Sequence, residues 1–270
     1  MIQVRRYGSS GPPVVLLHGG PGAPGYMAPV GRELASAFRV LEPLQRRAST
    51  GASDSELLTV ARHVEDLREV VEACCPGERP ALVGSSWGAM LALAYAARHP
   101  GDLNPLVLVG CGTFDRAARA RFHALLDERL VGEARERIDR LAHEVADPDE
   151  VLARRGELLL PAYSFDLLST DLELAGADHR GNVETWRDMV RLETQGFYPA
   201  AFDVITAPVL MLHGDTDPHP GGMIRATLAG VLPQLEYVEL ERCGHYPWLE
   251  RHARQEFFGV LGDWLVRRRS

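Results

Sequence analysis

Three residue types that together carry out acyl transfer occur at separate points of this sequence. Ser86 is the central residue of GSSWG, residues 84–88, which has the pattern G-x-S-x-G. His245 lies near the C-terminus, and Asp215 and Asp217 precede it in the run GDTDP. A serine hydroxyl is a weak nucleophile at neutral pH, so it needs an imidazole base, and a carboxylate must hold that imidazole in the correct tautomer. The residue types predict a catalytic triad with either aspartate as its acid.

The segments around Ser86 are those of a strand-to-helix turn. Residues 80–83 form a short apolar run that predicts a buried strand, and the Ala-, Leu- and Met-rich run after Gly88 predicts a helix packed on a sheet. At such a turn the serine adopts a strained backbone, and the flanking glycines let strand and helix approach closely, so the hydroxyl is exposed. G-x-S-x-G alone is a weak pattern, because Gly/Ser turns are common. The interpretation therefore depends on the partners of Ser86.

The remaining elements place the candidate acid and base at the same edge of a sheet as the serine. Aliphatic runs predict buried strands that end before HGGPG at residues 18–22, before Ser86, before Gly214 and at Leu240, and helices alternate with them. Alternation of this kind predicts an α/β fold, with a mostly parallel central sheet flanked by helices. The serine, an aspartate and His245 then follow their strands in the chain order of the α/β-hydrolase fold.

A helical insertion interrupts the alternating pattern. Between about Thr113 and Asp203 the sequence is rich in Arg, Glu and Leu and has no convincing strand. Apolar residues recur there at helical spacing, which predicts amphipathic helices. We therefore expect a hydrolase core made of residues 1–112 and 204–270, with an inserted helical cap formed by residues 113–203.

Two of these motifs resemble those of a known family. With HGGPG and GSSWG, the chain resembles an α/β-hydrolase with a helical cap over nearly its whole length outside the cap. It most resembles the proline iminopeptidase group of serine peptidases. The resemblance implies that the backbone N–H groups of Gly20 and Trp87 bind the oxyanion of the reaction. It also implies that Asp217, which matches Gly-x-x-Asp in the family, is the acid, whereas Asp215 stabilises the turn.

Other positions depart from that group, and they bear on the substrate. The group carries Asp-Gln-Arg-Gly after its second core strand, whereas this chain has LQRRAS at residues 44–49, without the aspartate and the glycine. Recognition of a substrate ammonium would need cap carboxylates, for which Glu173, Glu184 and Glu193 are candidates by type and region only. No substrate-binding residue is therefore assigned from the sequence.

The sequence predicts a serine hydrolase that forms an acyl-enzyme on a small ester or amide, as a proline iminopeptidase does. An esterase or lactonase of the same fold is the first alternative. A non-catalytic small-molecule receptor built on the same scaffold is the alternative of another class. His18 and His213 each precede a glycine at a strand end, and we expect them to brace their loops, since no nucleophile shares either loop.

A dinucleotide-binding loop is the other interpretation of the first glycine-rich segment. Gly20, Gly22 and Gly25 match G-x-G-x-x-G, and Glu42 follows at about the spacing of a ribose-binding acid. Two prolines within the loop, however, remove amide donors that would bind the pyrophosphate, and one of them fixes φ where a helix should begin. We therefore expect no cofactor and no metal.

Composition and charge exclude several classes of partner. The 270 residues carry a formal net charge of -8 and have a pI near 5.7, whereas nucleic-acid binding needs a basic surface. No apolar run approaches the roughly 20 residues that span a bilayer, and the N-terminus lacks a signal-peptide pattern. The four cysteines have neither metal-ligand spacing nor a disulfide framework. We expect a cytoplasmic protein that binds a small molecule or short peptide and has no nucleic-acid or membrane partner; the sequence leaves its oligomeric state open.

Overall fold

A seven-stranded sheet forms the centre of the molecule. The computed structural model describes residues 2–46 and 57–268. The strands lie in the order β1-β3-β2-β4-β5-β6-β7; β1 pairs antiparallel with β3, and every other pair is parallel, which confirms the predicted sheet. Their limits are β1 Val4–Tyr7, β2 Pro13–Leu17, β3 Arg39–Pro43, β4 Ala81–Ser85, β5 Leu106–Val109, β6 Val209–Gly214 and β7 Leu235–Leu240.

Helices follow most of the strands. They are α1 Ala28–Leu34, α2 Val60–Cys74, α3 Trp87–Arg98, α4 Arg116–Arg129, α5 Gly132–Glu144, α6 Pro148–Leu159, α7 His179–Thr194, α8 Gly221–Ala229 and α9 Arg254–Arg267. Short 3-10 helices occupy Leu160–Tyr163, Ala200–Val204 and Pro247–Leu249. Among the residues that the structure describes, no helix has the length and apolar character needed to cross a bilayer.

Both faces of the sheet are covered, because successive side chains of each central strand point to opposite sides. In β2, Val15 and Leu17 belong to one apolar cluster, which includes residues of α2 and α3. Val14 and Leu16 belong to a second cluster, which includes Trp264 of α9. A parallel sheet buried on both faces explains why its strands are continuous apolar runs in the sequence.

Two helix limits differ from the sequence pattern. The apolar period predicts a helix from Met27 to Phe38, but α1 ends at Leu34 and a turn follows. The apolar period near the C-terminus predicts a last helix from about Glu250, but α9 begins at Arg254, because Pro247–Leu249 forms a separate 3-10 turn. Glu250 therefore lies before the helix, and its carboxylate is fully buried.

Helices α4 to α7 and the turns that join them lie between β5 and β6, and we refer to them as the cap. Helix α4 buries one residue, Ala118, α5 buries Leu141, and α6 buries none, whereas α7 buries Gly181, Thr185 and Met189. The large apolar residues that recur at helical spacing in α4 and α6 therefore form half-buried faces. The residue limits of the core and the cap stay a prediction, although the position of the four cap helices is consistent with them.

Candidate active site

Ser86 occupies a strained turn between β4 and α3. Its φ is 54° and its ψ is -119°, a region that costs a residue with a side chain about 1–3 kcal/mol. The flanking glycines permit the turn: a Cβ on Gly84 would collide with the carbonyl oxygen of Gly88, and a Cβ on Gly88 would collide with that of Leu17. Strand, helix and β2 thus approach each other as the sequence pattern predicts. Ser86 itself is partly exposed.

Asp217 and His245 form a buried pair beside this turn. Asp217 lies in the loop after β6, His245 lies in the loop after β7, and the aspartate Oδ2 is 2.6 Å from the imidazole Nδ1. Because a carboxylate only accepts, Nδ1 carries the proton and Nε2 presents its lone pair. Asp215 has a different contact: its Oδ1 accepts a hydrogen bond of 3.0 Å from the backbone N–H of Cys243. Of the two candidate acids, Asp217 is the one that contacts His245.

The serine and histidine loops meet at the end of β5. The backbone N–H of Ser86 donates to the carbonyl oxygen of Val109 at 2.8 Å. The imidazole of His245 lies over the next residue, since a Cβ on Gly110 would be 2.9 Å from its Nδ1. Within the described residues the Ser86 hydroxyl makes no hydrogen bond, and bonds between nucleophile and base often tighten only when substrate is bound.

The Asp217 carboxylate accepts hydrogen bonds from a second histidine besides His245. His219 donates to Oδ1 through its backbone N–H at 2.9 Å and through its Nδ1 at 3.0 Å. His213 Nε2 lies 3.4 Å from Oδ2, but its hydrogen bond of 2.9 Å is to the carbonyl oxygen of His219. Burial by itself raises the pKa of Asp217, but the imidazoles of His245, His219 and His213 outweigh it and hold the pKa well below its usual value. The carboxylate is therefore ionised at neutral pH.

Two backbone N–H groups near Ser86 are available to an anion. In the HGGPG loop, Gly19 donates its N–H to Tyr26 Oη, and Pro21 has none. The N–H groups of Gly20 and Trp87 have no protein acceptor among residues 2–46 and 57–268. Trp87 begins α3, so its N–H also lies at the positive end of that helix. These are the two donors that the family resemblance implies.

A hydrogen-bond network fixes the HGGPG loop to the start of α3. The side-chain amide of Gln45 donates to the carbonyl oxygen of His18 at 3.0 Å and accepts from Trp87 Nε1 at 3.2 Å. The backbone N–H of Gln45 donates to His18 Nε2 at 3.2 Å, which assigns the ring proton to Nδ1. Burial lowers the pKa of His18 to about 4, so the ring is neutral. His18 joins two loops through these bonds.

The three cap glutamates that are candidates for binding a substrate ammonium all have other partners. Glu173 pairs with Arg32, and Glu193 pairs with Arg119. Glu184 accepts from the backbone N–H of Leu58 at 2.8 Å and also bonds a neighbouring arginine of α7. In the LQRRAS stretch, Leu44, Gln45 and Arg46 are described, whereas residues 47–49 lie outside the described residues.

Two of the three glycines of the dinucleotide pattern contact the cap. A Cβ on Gly22 would collide with the carbonyl oxygen of Asp178, and a Cβ on Gly25 would lie 3.0 Å from that of Glu173. Glu42 is fully buried and accepts a hydrogen bond of 2.6 Å from Tyr7. The absence of a side chain at Gly22 and Gly25 therefore lets the cap pack closely on this loop. Glu42, the acid of the pattern, binds Tyr7 of the neighbouring strand.

One side-chain cluster has the composition of a metal site. Ligand-type atoms of Asp217, His219 and His245 lie within 4.8 Å of one another. Both imidazoles, however, use Nδ1 to donate to the carboxylate, and the rings stack with their planes only 23° apart. A shared ion bound at the other two nitrogens would have to lie near both ring planes. The geometry fits an acid–base pair better than a chelate.

The comparisons with known proteins agree with this architecture. A family model described as "Alpha/beta hydrolase family" matches residues 14–258. The chain belongs to the α/β-hydrolase family. It is 26% identical over 273 residues to a proline iminopeptidase of Lactobacillus helveticus, covering 95% of this chain and 90% of the relative.

Two further matches are more limited. A Streptomyces coelicolor protein named "Probable proline iminopeptidase" is 38% identical over 120 residues, which cover 40% of this chain and 35% of the relative. The structure of a thermophilic esterase from Thermogutta terrifontis has a TM-score of 0.64 at 23% identity, covering 99% of this chain and 94% of that one. The structural likeness supports the fold.

Proposed function

We propose that this protein is a serine hydrolase that acts through an acyl-enzyme on a small ester or amide. The observation that carries the proposal is the position of Ser86, in a strained turn beside the hydrogen-bonded pair Asp217 and His245. A strained backbone destabilises a turn that only connects two elements. At a nucleophile the same strain presents the hydroxyl to the neighbouring imidazole.

In the first half of the reaction, His245 Nε2 accepts the proton of the Ser86 hydroxyl while Oγ attacks the substrate carbonyl carbon. Asp217 stays ionised and stabilises the imidazolium that forms, because its bond to Nδ1 becomes charge-assisted. The N–H groups of Gly20 and Trp87 bind the oxyanion, and donors placed in this way contribute about 3 kcal/mol each.

The first half ends when the C–O or C–N bond to the leaving group breaks and His245 gives its proton to that group, which leaves the acyl group on Ser86 Oγ. In the second half, a water gives a proton to His245 and attacks the acyl carbon. The Oγ–C bond then breaks and His245 passes that proton to Oγ, which releases the acid and restores the hydroxyl of Ser86. The bonds in both halves involve only these side chains, water and substrate. The mechanism requires no resident cofactor.

Esters without a free ammonium are the substrate class that the cap favours. Glu173 and Glu193 are each paired with an arginine, and Glu184 accepts from a backbone N–H and an arginine. An incoming ammonium would have to compete with those guanidinium groups. Aminopeptidase activity is the second candidate, and the named relatives support it.

A fluorophosphonate probe tests the serine mechanism. We expect wild-type protein to gain one phosphonyl group at Ser86 and Ser86→Ala to gain none. Absence of labelling in the wild type, or equal labelling of the variant, would contradict the proposal and favour a non-catalytic receptor. Ser270, at the C-terminal end of the sequence, offers a matched control, because Ser270→Ala should be labelled like the wild type.

A substrate panel tests the bond that is cleaved. p-Nitrophenyl butyrate, a γ-lactone and proline p-nitroanilide present an ester, a cyclic ester and an aminoacyl amide. We expect the esters to have the higher kcat/KM. A higher value for proline p-nitroanilide would assign the peptidase specificity, and turnover that persists in Ser86→Ala would reject the serine mechanism.

A further inference from the structure

His219 is the residue at this site that neither the sequence motifs nor the family resemblance assigns. It lies between two prolines in the loop after β6, two residues beyond Asp217. Both of its donors reach one atom, Asp217 Oδ1, at 2.9 Å from the backbone nitrogen and 3.0 Å from Nδ1. The other carboxylate oxygen, Oδ2, accepts a hydrogen bond of 2.6 Å from His245 Nδ1.

The ring of His219 also contacts the base directly. It stacks on His245 with ring centroids 4.6 Å apart and an angle of 23° between the planes. On its other side it stacks on Phe122 of the cap helix α4, at 4.3 Å and 21°. The three rings form a continuous stack from the cap to the imidazole that would activate Ser86.

Burial keeps this second histidine uncharged. It lowers the pKa of His219 to about 4, although the neighbouring Asp217 acts in the opposite direction. A neutral ring can donate through Nδ1 without adding a positive charge beside His245. An uncharged donor holds the carboxylate in place and leaves its charge available to the imidazolium.

We propose that His219 is a positioning residue that prevents rotation of the Asp217 carboxylate and thereby keeps the His245 ring in its orientation. The proposal rests on the proposed function, in which His245 is the base. Rotation about the Cβ–Cγ bond of Asp217 would move Oδ2 away from Nδ1, and two bonds to Oδ1 oppose that rotation. Because proton transfer depends on the orientation of the ring, a displacement of about 1 Å lowers the rate by about 100-fold.

Three substitutions separate the hydrogen bond from the ring. His219→Asn places an amide donor where Nδ1 lies but removes the stacked ring. His219→Phe keeps a ring between Phe122 and His245 but removes the donor, and His219→Ala removes both. The backbone N–H bond to Oδ1 is present in all three. His143→Asn in α5 is the matched control, since that histidine is exposed and lies outside the site.

The readout is the rate of Ser86 labelling by a fluorophosphonate, resolved into kinact and KI, together with the thermal midpoint of each variant. We expect His219→Ala and His219→Phe to lower kinact about 30-fold or more, with KI within about twofold, because the loss concerns orientation. We expect His219→Asn to recover kinact to within about fivefold of the wild type, since a donor to Oδ1 is restored. His143→Asn should match the wild type.

Each other result overturns the proposal. Equal kinact in all variants would show that His219 has no influence on the base. Equal losses in all three, accompanied by lowered thermal midpoints, would show that it only packs. A change confined to KI would make it a substrate contact. Failure of the proposed function is distinguishable, because the wild type would then not be labelled at Ser86 at all.

Discussion

The core and the cap of this protein are held in different ways. Helix α3 of the core has ten buried residues, whereas α4 and α5 of the cap have one each and α6 has none. The cap instead makes polar contacts with the loops that carry the proposed catalytic groups. The backbone N–H of His245 donates to the carbonyl oxygen of Tyr163 at 2.7 Å. The side-chain amide of Asn182 donates to the carbonyl oxygen of Pro21, in the HGGPG loop, at 2.7 Å.

This difference separates stability from activity. Apolar burial in the core supplies most of the folding free energy, while each polar contact of the cap contributes little stability but orients a loop at the site. Substitutions in the core should therefore change stability most. Substitutions at the contacts between cap and core should lower stability less than core substitutions do, and they should also slow the labelling of Ser86.

The largest expected effect is a loss of stability in the core. Leu261 of α9 is fully buried, so Leu261→Ala should lower the free energy of unfolding by about 3 kcal/mol. Leu126 of α4 is half-buried, and Leu126→Ala should cost less than about 1 kcal/mol. Urea unfolding of the matched pair measures both. Equal costs would show that the cap is packed as tightly as the core.

The next effect concerns Glu250, whose buried carboxylate accepts from Phe165 and Asp166 in the cap at 2.9 and 2.7 Å and from Gly244 at 3.0 Å. Glu250→Ala leaves these N–H groups without their acceptor and should lower stability by about 2 kcal/mol. Labelling of Ser86 should slow by about 10-fold or more, because the loop of His245 loses its anchor.

Glu250→Gln is the control for that effect, since it keeps one carbonyl oxygen and the side-chain shape. Its labelling rate and its urea midpoint should lie between those of Glu250→Ala and the wild type. If Glu250→Ala were labelled at the wild-type rate, the hydrogen bonds of Glu250 would not be what orients His245.

A pH effect of intermediate size is expected where α2 meets the cap. His63 is buried and its Nε2 is 2.9 Å from Thr185 Oγ1 of α7; burial lowers the pKa of His63 to about 3. In the unfolded chain the pKa is about 6.5, so only the unfolded state gains a proton as the pH falls below that value. The contribution to stability is full above about pH 6.5 and is about 1.4 kcal/mol smaller at pH 5.5.

Urea unfolding at pH 7.5 and 5.5 measures this loss in the wild type and in His63→Gln, which cannot titrate. We expect the variant to lose less stability than the wild type by about that amount. Equal losses would mean that His63 is protonated within the folded protein.

The smallest effect is expected at Asn182, whose side chain anchors the HGGPG loop from α7. Asn182→Ala should lower kinact for the fluorophosphonate about threefold, because the Gly20 donor is held less firmly, and should change stability by less than about 1 kcal/mol. The exposed neighbour Val183 is the control, and Val183→Ala should behave as the wild type. If Asn182→Ala lost more stability than Glu250→Ala, the Asn182 contact would contribute more to stability than the Glu250 contacts, contrary to this prediction.

The sequence predicts the fold well where local patterns coincide with burial. Continuous aliphatic runs such as the one in β2 are strands, because a parallel sheet covered on both faces needs them. The glycines around Ser86 predict the close approach that the structure contains. The family's Gly-x-x-Asp spacing indicates Asp217, and in the structure it is this aspartate that contacts His245.

Other features of the site have no local signal. His219 lies between prolines in a turn, and its importance arises from contacts with β6, the loop after β7 and α4, which are distant in sequence. Glu250 has the pattern of a first-turn helix acid, yet the helix begins later and its carboxylate turns inward. A histidine two residues after a candidate acid is the one clue that could have indicated His219.

The most direct test of the central claim is to locate the covalent intermediate. A p-nitrophenyl carbamate transfers its carbamoyl group to a serine hydrolase, and the adduct hydrolyses slowly enough for mass spectrometry of the digested protein. The account predicts one carbamoyl group, on the peptide that contains Ser86, with release of one equivalent of p-nitrophenolate. An adduct on another residue, or the same adduct in Ser86→Ala, would contradict it.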